Sequence, residues 1–283
     1  LLNQLGYDVK SVKGGMTGWN KVYDVAEVGV PKEAPFRIWQ VRRISKGCMG
    51  YIVSSKEDDT AVVIDPSREI YEAFMNVAKE NGLKIIKVID THQHADHVSG
   101  VAKLAKAITA ETNSEALAYF SSLEEYNSEN SEINLNFIKD QDQIEITKKI
   151  SLRAIHTPGH TNGSMSFFIE YYDDDTDVKK STQDHLQYSC LFTGDTLFVD
   201  SVGRPDLREE AGKYAGLLYQ TYHQKIVKLP ENTVVLPAHF NGNSIALKHG
   251  VPISDTIGSL KKKIKLLSMT EYEFVHFVTD TLP

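Results

Sequence analysis

Thr91-His92-Gln93-His94-Ala95-Asp96-His97 places three imidazoles and a carboxylate within six residues. The stretch follows the apolar run Ile85-Ile86-Lys87-Val88-Ile89 and precedes a pattern in which Val98, Val101, Leu104, Ala105 and Ile108 recur at helical spacing. In an extended chain, residues two apart share a face, so His92 and His94 are expected to face one point beyond the strand's end. Asp96 and His97 fall where the chain turns into the helix, and they approach that point from another side. Imidazole together with carboxylate suits zinc, iron or manganese. A polar loop with chance histidines accounts poorly for four such groups at this spacing. The expectation is a metal site on a strand-to-helix loop.

Composition narrows the function classes. The 283 residues are 41% hydrophobic and 24% charged, which fits one large globular domain or one domain with an appendage. A formal charge of -7 argues against nucleic acid as a partner. The run Lys261-Lys262-Lys263 reads as a solvated helix face. Two cysteines, Cys48 and Cys190, are too few for a disulfide framework and form no zinc motif, so a reduced, cytoplasmic compartment is expected. Both sit in strand patterns and read as buried structural thiols. No apolar run approaches the roughly 18 residues of a membrane helix, so no membrane partner is expected. The start, Leu1-Leu2-Asn3-Gln4, lacks signal-peptide character and a methionine; the chain is expected to be a trimmed piece of a longer protein.

Along the chain, residues 26–35 are linker-like, with Val28-Gly29-Val30-Pro31 and Ala34-Pro35. Strands are expected over Phe36–Ile44, Cys48–Val53 and Thr60–Ile64, the last two joined through the charged turn Lys56-Glu57-Asp58-Asp59. Ser67 is the expected N-cap of a helix over Glu69–Asn81, which Gly82 stops. Further strands are read at Lys84–Ile89, Ala116–Phe120, Gln143–Ile146, Ile150–Ile155, Ser164–Tyr172, Gln187–Phe192 and Thr233–Leu236. Helices are read at Gly212–Leu229, Ile257–Leu267 and Thr270–Thr279, and Ser121–Glu132 as loop or short helix. The acidic run Asp173-Asp174-Asp175-Thr176-Asp177 lacks calcium-loop spacing and reads as a hairpin tip. Strands then helices, twice over, predict an α/β fold of two packed sheets with helices outside.

Three later segments place a metal-capable side chain just past a strand. In His156-Thr157-Pro158-Gly159-His160-Thr161, proline and glycine force a turn that aims His160. In Phe192-Thr193-Gly194-Asp195-Thr196, Gly194 permits close backbone approach and Asp195 offers a carboxylate. The third is Val235-Leu236-Pro237-Ala238-His239. His156 reads as a supporting or structural residue. His185, His223, His249 and His276 lack such a setting and read as surface or helix residues.

This set, with His92, His94, Asp96, His97, His160, Asp195 and His239 in order over residues 36–245, resembles the metallo-β-lactamase superfamily. The resemblance implies an αββα sandwich of two mixed sheets flanked by helices, with the metal site at one edge between the sheets. In dinuclear members His92, His94 and His160 would hold one metal, Asp96, His97 and His239 the other, and Asp195 would bridge.

The run Gly194-Asp195-Thr196-Leu197-Phe198 through Val202-Gly203-Arg204-Pro205-Asp206-Leu207 resembles the subgroup containing persulfide dioxygenases and their rhodanese fusions. That likeness implies oxidation of a thiol persulfide by O2 at one iron(II) held by His92, His160 and Asp195. Arg204 would bind the carrier thiol's carboxylate, and His94, Asp96, His97 and His239 would orient water, substrate and neighbours. Gly6-Tyr7-Asp8-Val9 with Val12-Lys13-Gly14-Gly15-Met16-Thr17-Gly18-Trp19 is similar to the closing strand and turn of a rhodanese domain. The implied organisation is a rhodanese-like remnant at residues 1–25, a linker at 26–35 and a catalytic domain at 36–283, with a rhodanese portion of the longer chain as a partner. The competing resemblance is to glyoxalase II, a thioester hydrolase with two zinc ions, since all seven ligands it needs are present. After Pro237-Ala238-His239 the glutathione-linked dioxygenases carry Asp-Tyr, whereas this chain has Phe240-Asn241-Gly242; coenzyme A or an inorganic polysulfide is therefore an open alternative to glutathione. Apolar helix faces near the C-terminus serve core packing or a homodimer equally well.

Overall fold

Strand Thr60–Ile64 alternates its side chains between two cores: Val62 and Ile64 join one cluster, Ala61 and Val63 another. This period of two, repeated through the sheet, gives each strand an inner and an outer face. The computed structural model describes residues 3–94, 98–124, 135–171, 188–205 and 210–280. The first sheet runs in sequence order through β1 (Tyr23–Val28), β2 (Phe36–Arg43), β3 (Cys48–Ser55), β4 (Thr60–Ile64), β5 (Lys84–Ile89), β6 (Leu117–Ser121) and β7 (Leu135–Ile138). The β1–β4 pairings are antiparallel and the β4–β7 pairings parallel. The second sheet has the order β13 (Asp255–Thr256), β12 (Val234–Pro237), β11 (Cys190–Gly194), β10 (Met165–Tyr171), β9 (Ile150–His156) and β8 (Gln143–Thr147). Only its β11–β12 pair is parallel.

The two sheets bury Phe36, Tyr51, Val53, Ile64, Leu152, Phe167, Phe192 and Leu236 between them. Helices α2 (Tyr71–Glu80) and α3 (Val101–Thr112) cover the outer face of the first sheet through Phe74, Val77, Leu104 and Ile108. Helices α4 (Ala211–Thr221), α5 (Ile257–Lys263) and α6 (Glu271–Asp280) cover the second through Leu218, Leu260 and Phe274. The expected αββα sandwich of two mixed sheets is the fold observed. A further helix, α1 (Gly15–Trp19), lies in the N-terminal segment.

Several boundaries differ from the sequence reading. Tyr23–Val28, divided there between an N-terminal remnant and a linker, is the edge strand β1. Asp24 occupies an inward position of β1 and breaks its apolar alternation; the buried Arg42 beside it supplies the countercharge. Ser67 makes no side-chain cap: its hydroxyl donates to Glu69 Oε2 at 2.9 Å, a 3-10 turn follows, and α2 starts only at Tyr71. The helix read through Leu229 ends as α at Thr221 and continues as a π-helical turn, Tyr222–Ile226. Strand β7 carried no sequence expectation, because its Asn136 interrupts an otherwise short apolar run. The acidic run 173–177 lies outside the described residues. No helix among the described residues is long and apolar enough to cross a membrane.

Candidate metal centre

Three loops bring their donors to one point at one edge of the sandwich. His92 follows the end of β5, His160 stands in the turn after β9, and Asp195 directly follows Gly194, the last residue of β11. One ligand atom from each lies within 4.8 Å of the other two. His92 Nε2 and His160 Nε2 each stand 3.7 Å from Asp195 Oδ2. Side-chain exposure rises from 1% at His92 through 12% at Asp195 to 24% at His160, so the group opens to solvent on the His160 side.

The second ring nitrogens fix the tautomers. Thr91 Oγ1 donates to Asp65 Oδ2 at 2.9 Å, so its oxygen accepts from His92 Nδ1–H at 2.8 Å. His160 Nδ1–H donates to the Arg204 carbonyl at 2.9 Å, since a carbonyl only accepts. Each imidazole therefore turns a bare Nε2 lone pair toward the carboxylate. Three electron-pair donors facing one point with no proton between them repel unless a cation joins them, and the set of two imidazoles and one carboxylate fits a divalent transition metal.

Electrostatics agree with that assignment. Burial, then the neighbouring His94 charge, holds His92 well below the usual imidazole range, so it is neutral and able to ligate. Burial alone would raise Asp195, yet the charge and hydrogen bond of His239, the largest opposing cause, help to hold the carboxyl far below its usual range. His239 Nδ1–H donates to Asp195 Oδ1 at 2.6 Å, which leaves Oδ2 for the other two histidines.

His94 takes a different direction. Its Nε2 lies 3.4 Å from Asp65 Oδ1 and 3.6 Å from Asp90 Oδ1, although its ring centroid is only 4.2 Å from that of His92. Asp65, Asp90 and His94 form a second group of potential ligands within 4.8 Å. Both Asp65 oxygens already accept hydrogen bonds, Oδ1 from Thr91 N–H at 2.7 Å and Oδ2 from Thr91 Oγ1. Burial lowers the His94 pKa, but the hydrogen bonds and charges of Asp65 and Asp90 outweigh it and raise it to about 10. The second group thus sets His94, whose charged form the two carboxylates favour, between two buried carboxyl groups. Asp96 and His97 lie outside the described residues. Arg204 is exposed at the rim, and its carbonyl is the part that touches His160.

Sequence reading missed Asp65, Asp90 and the hydroxyl of Thr91. Their signal was present: Asp65 and Asp90 each stand directly after a strand that ends at the site edge, β4 and β5. Gly194 has φ +53°, and a Cβ there would stand 2.4 Å from Thr91 Oγ1, so glycine lets β11 approach the loop that orients His92. The His239 limb is stitched to β3: Met49 N–H donates to the Ala238 carbonyl at 2.6 Å, and Tyr51 Oη donates to the Pro237 carbonyl at 2.6 Å. Phe240 is buried between the sheets. His156 Nε2 meets the Asn162 carbonyl at 2.8 Å, in keeping with its supporting role. Cys48 and Cys190 are buried, and burial pushes the Cys190 thiol up to about 12.

Residues 47–174 match the family described as the metallo-beta-lactamase superfamily, and this chain contains a domain of that superfamily. Among curated proteins it is similar to human "Persulfide dioxygenase ETHE1, mitochondrial", 30% identical over 189 residues, which cover 67% of this chain and 62% of the relative. It is also similar to the hydroxyacylglutathione hydrolase of a Polaromonas species, 27% identical over 189 residues, with 67% of this chain and 60% of the relative covered. Among solved structures, a metallo-beta-lactamase from Staphylococcus aureus superimposes with a TM-score of 0.71 at 26% identity, covering 88% of this chain and 68% of that one. The matched part of the chain thus spans 62% of the human relative's length.

Proposed function

We propose that this chain is a persulfide dioxygenase that binds one iron(II) through His92, His160 and Asp195. The observation that carries the reading is the division of labour among the histidines. His94 is directed to Asp65 and Asp90, while His92, His160 and Asp195 form a compact set of two imidazoles and one carboxylate. That set is the donor pattern of non-haem iron oxygenases and leaves positions open on the exposed side. Iron would supply the electron chemistry with dioxygen that redox-inert zinc cannot. The human relative's name supports the same activity.

The reaction proposed is RSSH + O2 + H2O → RSH + H2SO3. Four electrons pass from the terminal sulfur to O2, and the carrier thiol leaves intact. Asp195 supplies the one anionic donor, and the hydrogen bond from His239 favours its ionised form. Arg204, exposed beside His160, offers a guanidinium to a carboxylate of the carrier thiol. Asp96 and His97 are proposed to orient water and substrate. His94 and His239 serve as fixed hydrogen-bonding neighbours. The catalytic domain is proposed to begin with β1 at Tyr23 and run through residue 283, with the residues before it a rhodanese-like tail.

A hydrolase reading is favoured by two observations, the hydroxyacylglutathione hydrolase match and His239 beside Asp195, which could help to hold a second metal. Metal analysis with an oxygen electrode separates the two. Iron near one per chain and persulfide-dependent O2 uptake are expected. Two zinc ions with thioester hydrolysis and no O2 uptake would overturn the dioxygenase reading.

A further inference from the structure

After Thr221 the chain passes through one π-helical turn, Tyr222–Ile226, with Val227 N–H bonded to the Tyr222 carbonyl at 2.9 Å. Such single widened turns are rare and concentrate at functional sites. Three side chains here reach the loops that carry metal donors. Thr221 Oγ1 donates to the Pro158 carbonyl at 2.9 Å, two residues before His160. Lys225 Nζ donates to the His156 carbonyl. Between them, Tyr222 Oη donates to the Thr196 carbonyl at 2.5 Å and accepts from Gly203 N–H at 3.1 Å.

Thr196 follows Asp195, and Gly203 precedes Arg204. One phenol oxygen therefore closes the base of the 196–203 loop. One end of that loop carries the Asp195 carboxylate, and the other carries the carbonyl that orients His160. Gly203 N–H also bonds the Thr196 carbonyl at 2.8 Å, and a Cβ at Gly203 would stand 2.1 Å from the Asp195 carbonyl oxygen, so the neck of the loop is narrow. The Tyr222 ring is fully buried, edge-on to Phe274 with centroids 5.8 Å apart. Phenylalanine would fill that space equally well, so packing alone does not account for the hydroxyl. Burial raises the phenol, which stays protonated and able to donate.

We infer that Tyr222 is a positioning residue of the metal centre, holding Asp195 and His160 in ligating geometry through the neck of the 196–203 loop. The inference rests on the metal-centre reading above. Tyr222 touches no donor atom and acts through backbone groups alone.

The test uses the full chain with Co2+ as the probe, reading affinity by chelator competition and ligand geometry by the d–d absorption bands. Tyr222→Phe is expected to weaken Co2+ about 10-fold, the low end for losing an outer partner of a metal ligand because the phenol acts one residue removed from each ligand contact, and to shift the bands. Phe274→Leu loosens the same packing without touching the phenol; it should lower the melting temperature while keeping wild-type affinity and bands. Wild-type affinity and bands in Tyr222→Phe would overturn the positioning role. So would an equal loss in Phe274→Leu, because general loosening would then suffice. Asp195→Asn separates the premises. If it retains wild-type Co2+ affinity, the metal-centre reading falls and takes the inference with it. If it loses Co2+ while Tyr222→Phe does not, only the positioning role falls.

Discussion

Asp195 and His239 share a short hydrogen bond but are expected to respond differently to removal. Asp195→Asn deletes the set's only anionic donor, and bound metal should fall by at least about 100-fold in affinity. His239→Ala frees Oδ1 but leaves both Nε2 lone pairs aimed at Oδ2, so metal should be retained. Equal stripping of metal in both variants, measured by elemental analysis after desalting, would remove the mononuclear assignment. Thr91 offers a second residue-level test. Its hydroxyl is the link between Asp65 and His92 Nδ1, and Thr91→Val keeps its volume while cutting that link. Metal affinity should drop about 10- to 100-fold, with a far-ultraviolet spectrum unchanged. The sequence shows that Asp65 follows a strand end but not which group it meets, for a physical reason. A ligand histidine announces itself by type and spacing, whereas Asp65 lies 26 residues from Thr91 and meets it only because β4 and β5 pair.

At the scale of elements, glycine sets how closely β11 and the β5 loop approach. Gly194→Ala would both strain a left-handed backbone and drive a methyl into Thr91. Metal binding should weaken more than thermal stability, as judged by titration beside a melting curve. The edge strand β1 gives a pH prediction. Arg42 is fully buried and pairs with Asp24, while its guanidinium also donates to the Val251 and Lys248 carbonyls, tying β1 and β2 to the loop after His239. Burial pushes Asp24 up, but hydrogen bonds from His249 and Arg42 outweigh it, and the folded-state pKa is lowered. A lowered carboxylate pKa contributes stability above its unfolded value, near about 3.9, and that contribution is lost as pH falls through the folded value. Asp24→Asn should therefore cost about 3 kcal/mol at neutral pH, the low end for breaking a buried pair. The difference from wild type should shrink below about pH 4. A gap that stays constant from pH 7 to pH 3 in urea melts would refute this.

Across the whole molecule, the metal would join loops from both sheets, His92 from the first and His160 and Asp195 from the second. An ion that binds only the folded chain stabilises it by about 2.7 kcal/mol at a hundredfold excess over Kd. For a chain of this size that is roughly a 5 °C rise in melting temperature. Calorimetry of chelator-stripped protein with and without added iron(II) reads the shift directly; none would mean that no ion bridges the sheets. Two packed sheets with helices outside were legible from period-two and period-3.6 patterns, because burial on one face imposes them locally, whereas the mixed αββα sandwich was implied only by the family resemblance. Strand β1 was not legible, since Asp24 breaks its alternation and the distant Arg42 and His249 make an inward carboxylate tolerable.

The sequence by itself determined the fold class and the donors His92, His160 and Asp195 as candidates, since strand ends, turns and ligand types are local features. Residue spacing alone left the division among the histidines open, and only the tertiary structure shows where each described ring points. His94 follows His92 by two residues, yet its ring meets Asp65 and Asp90. Asp90 lies only four residues back along the same chain, but Asp65 reaches the ring only through the pairing of β4 with β5. Likewise the phenol of Tyr222 reaches Thr196 and Gly203 only when α4 packs on the second sheet.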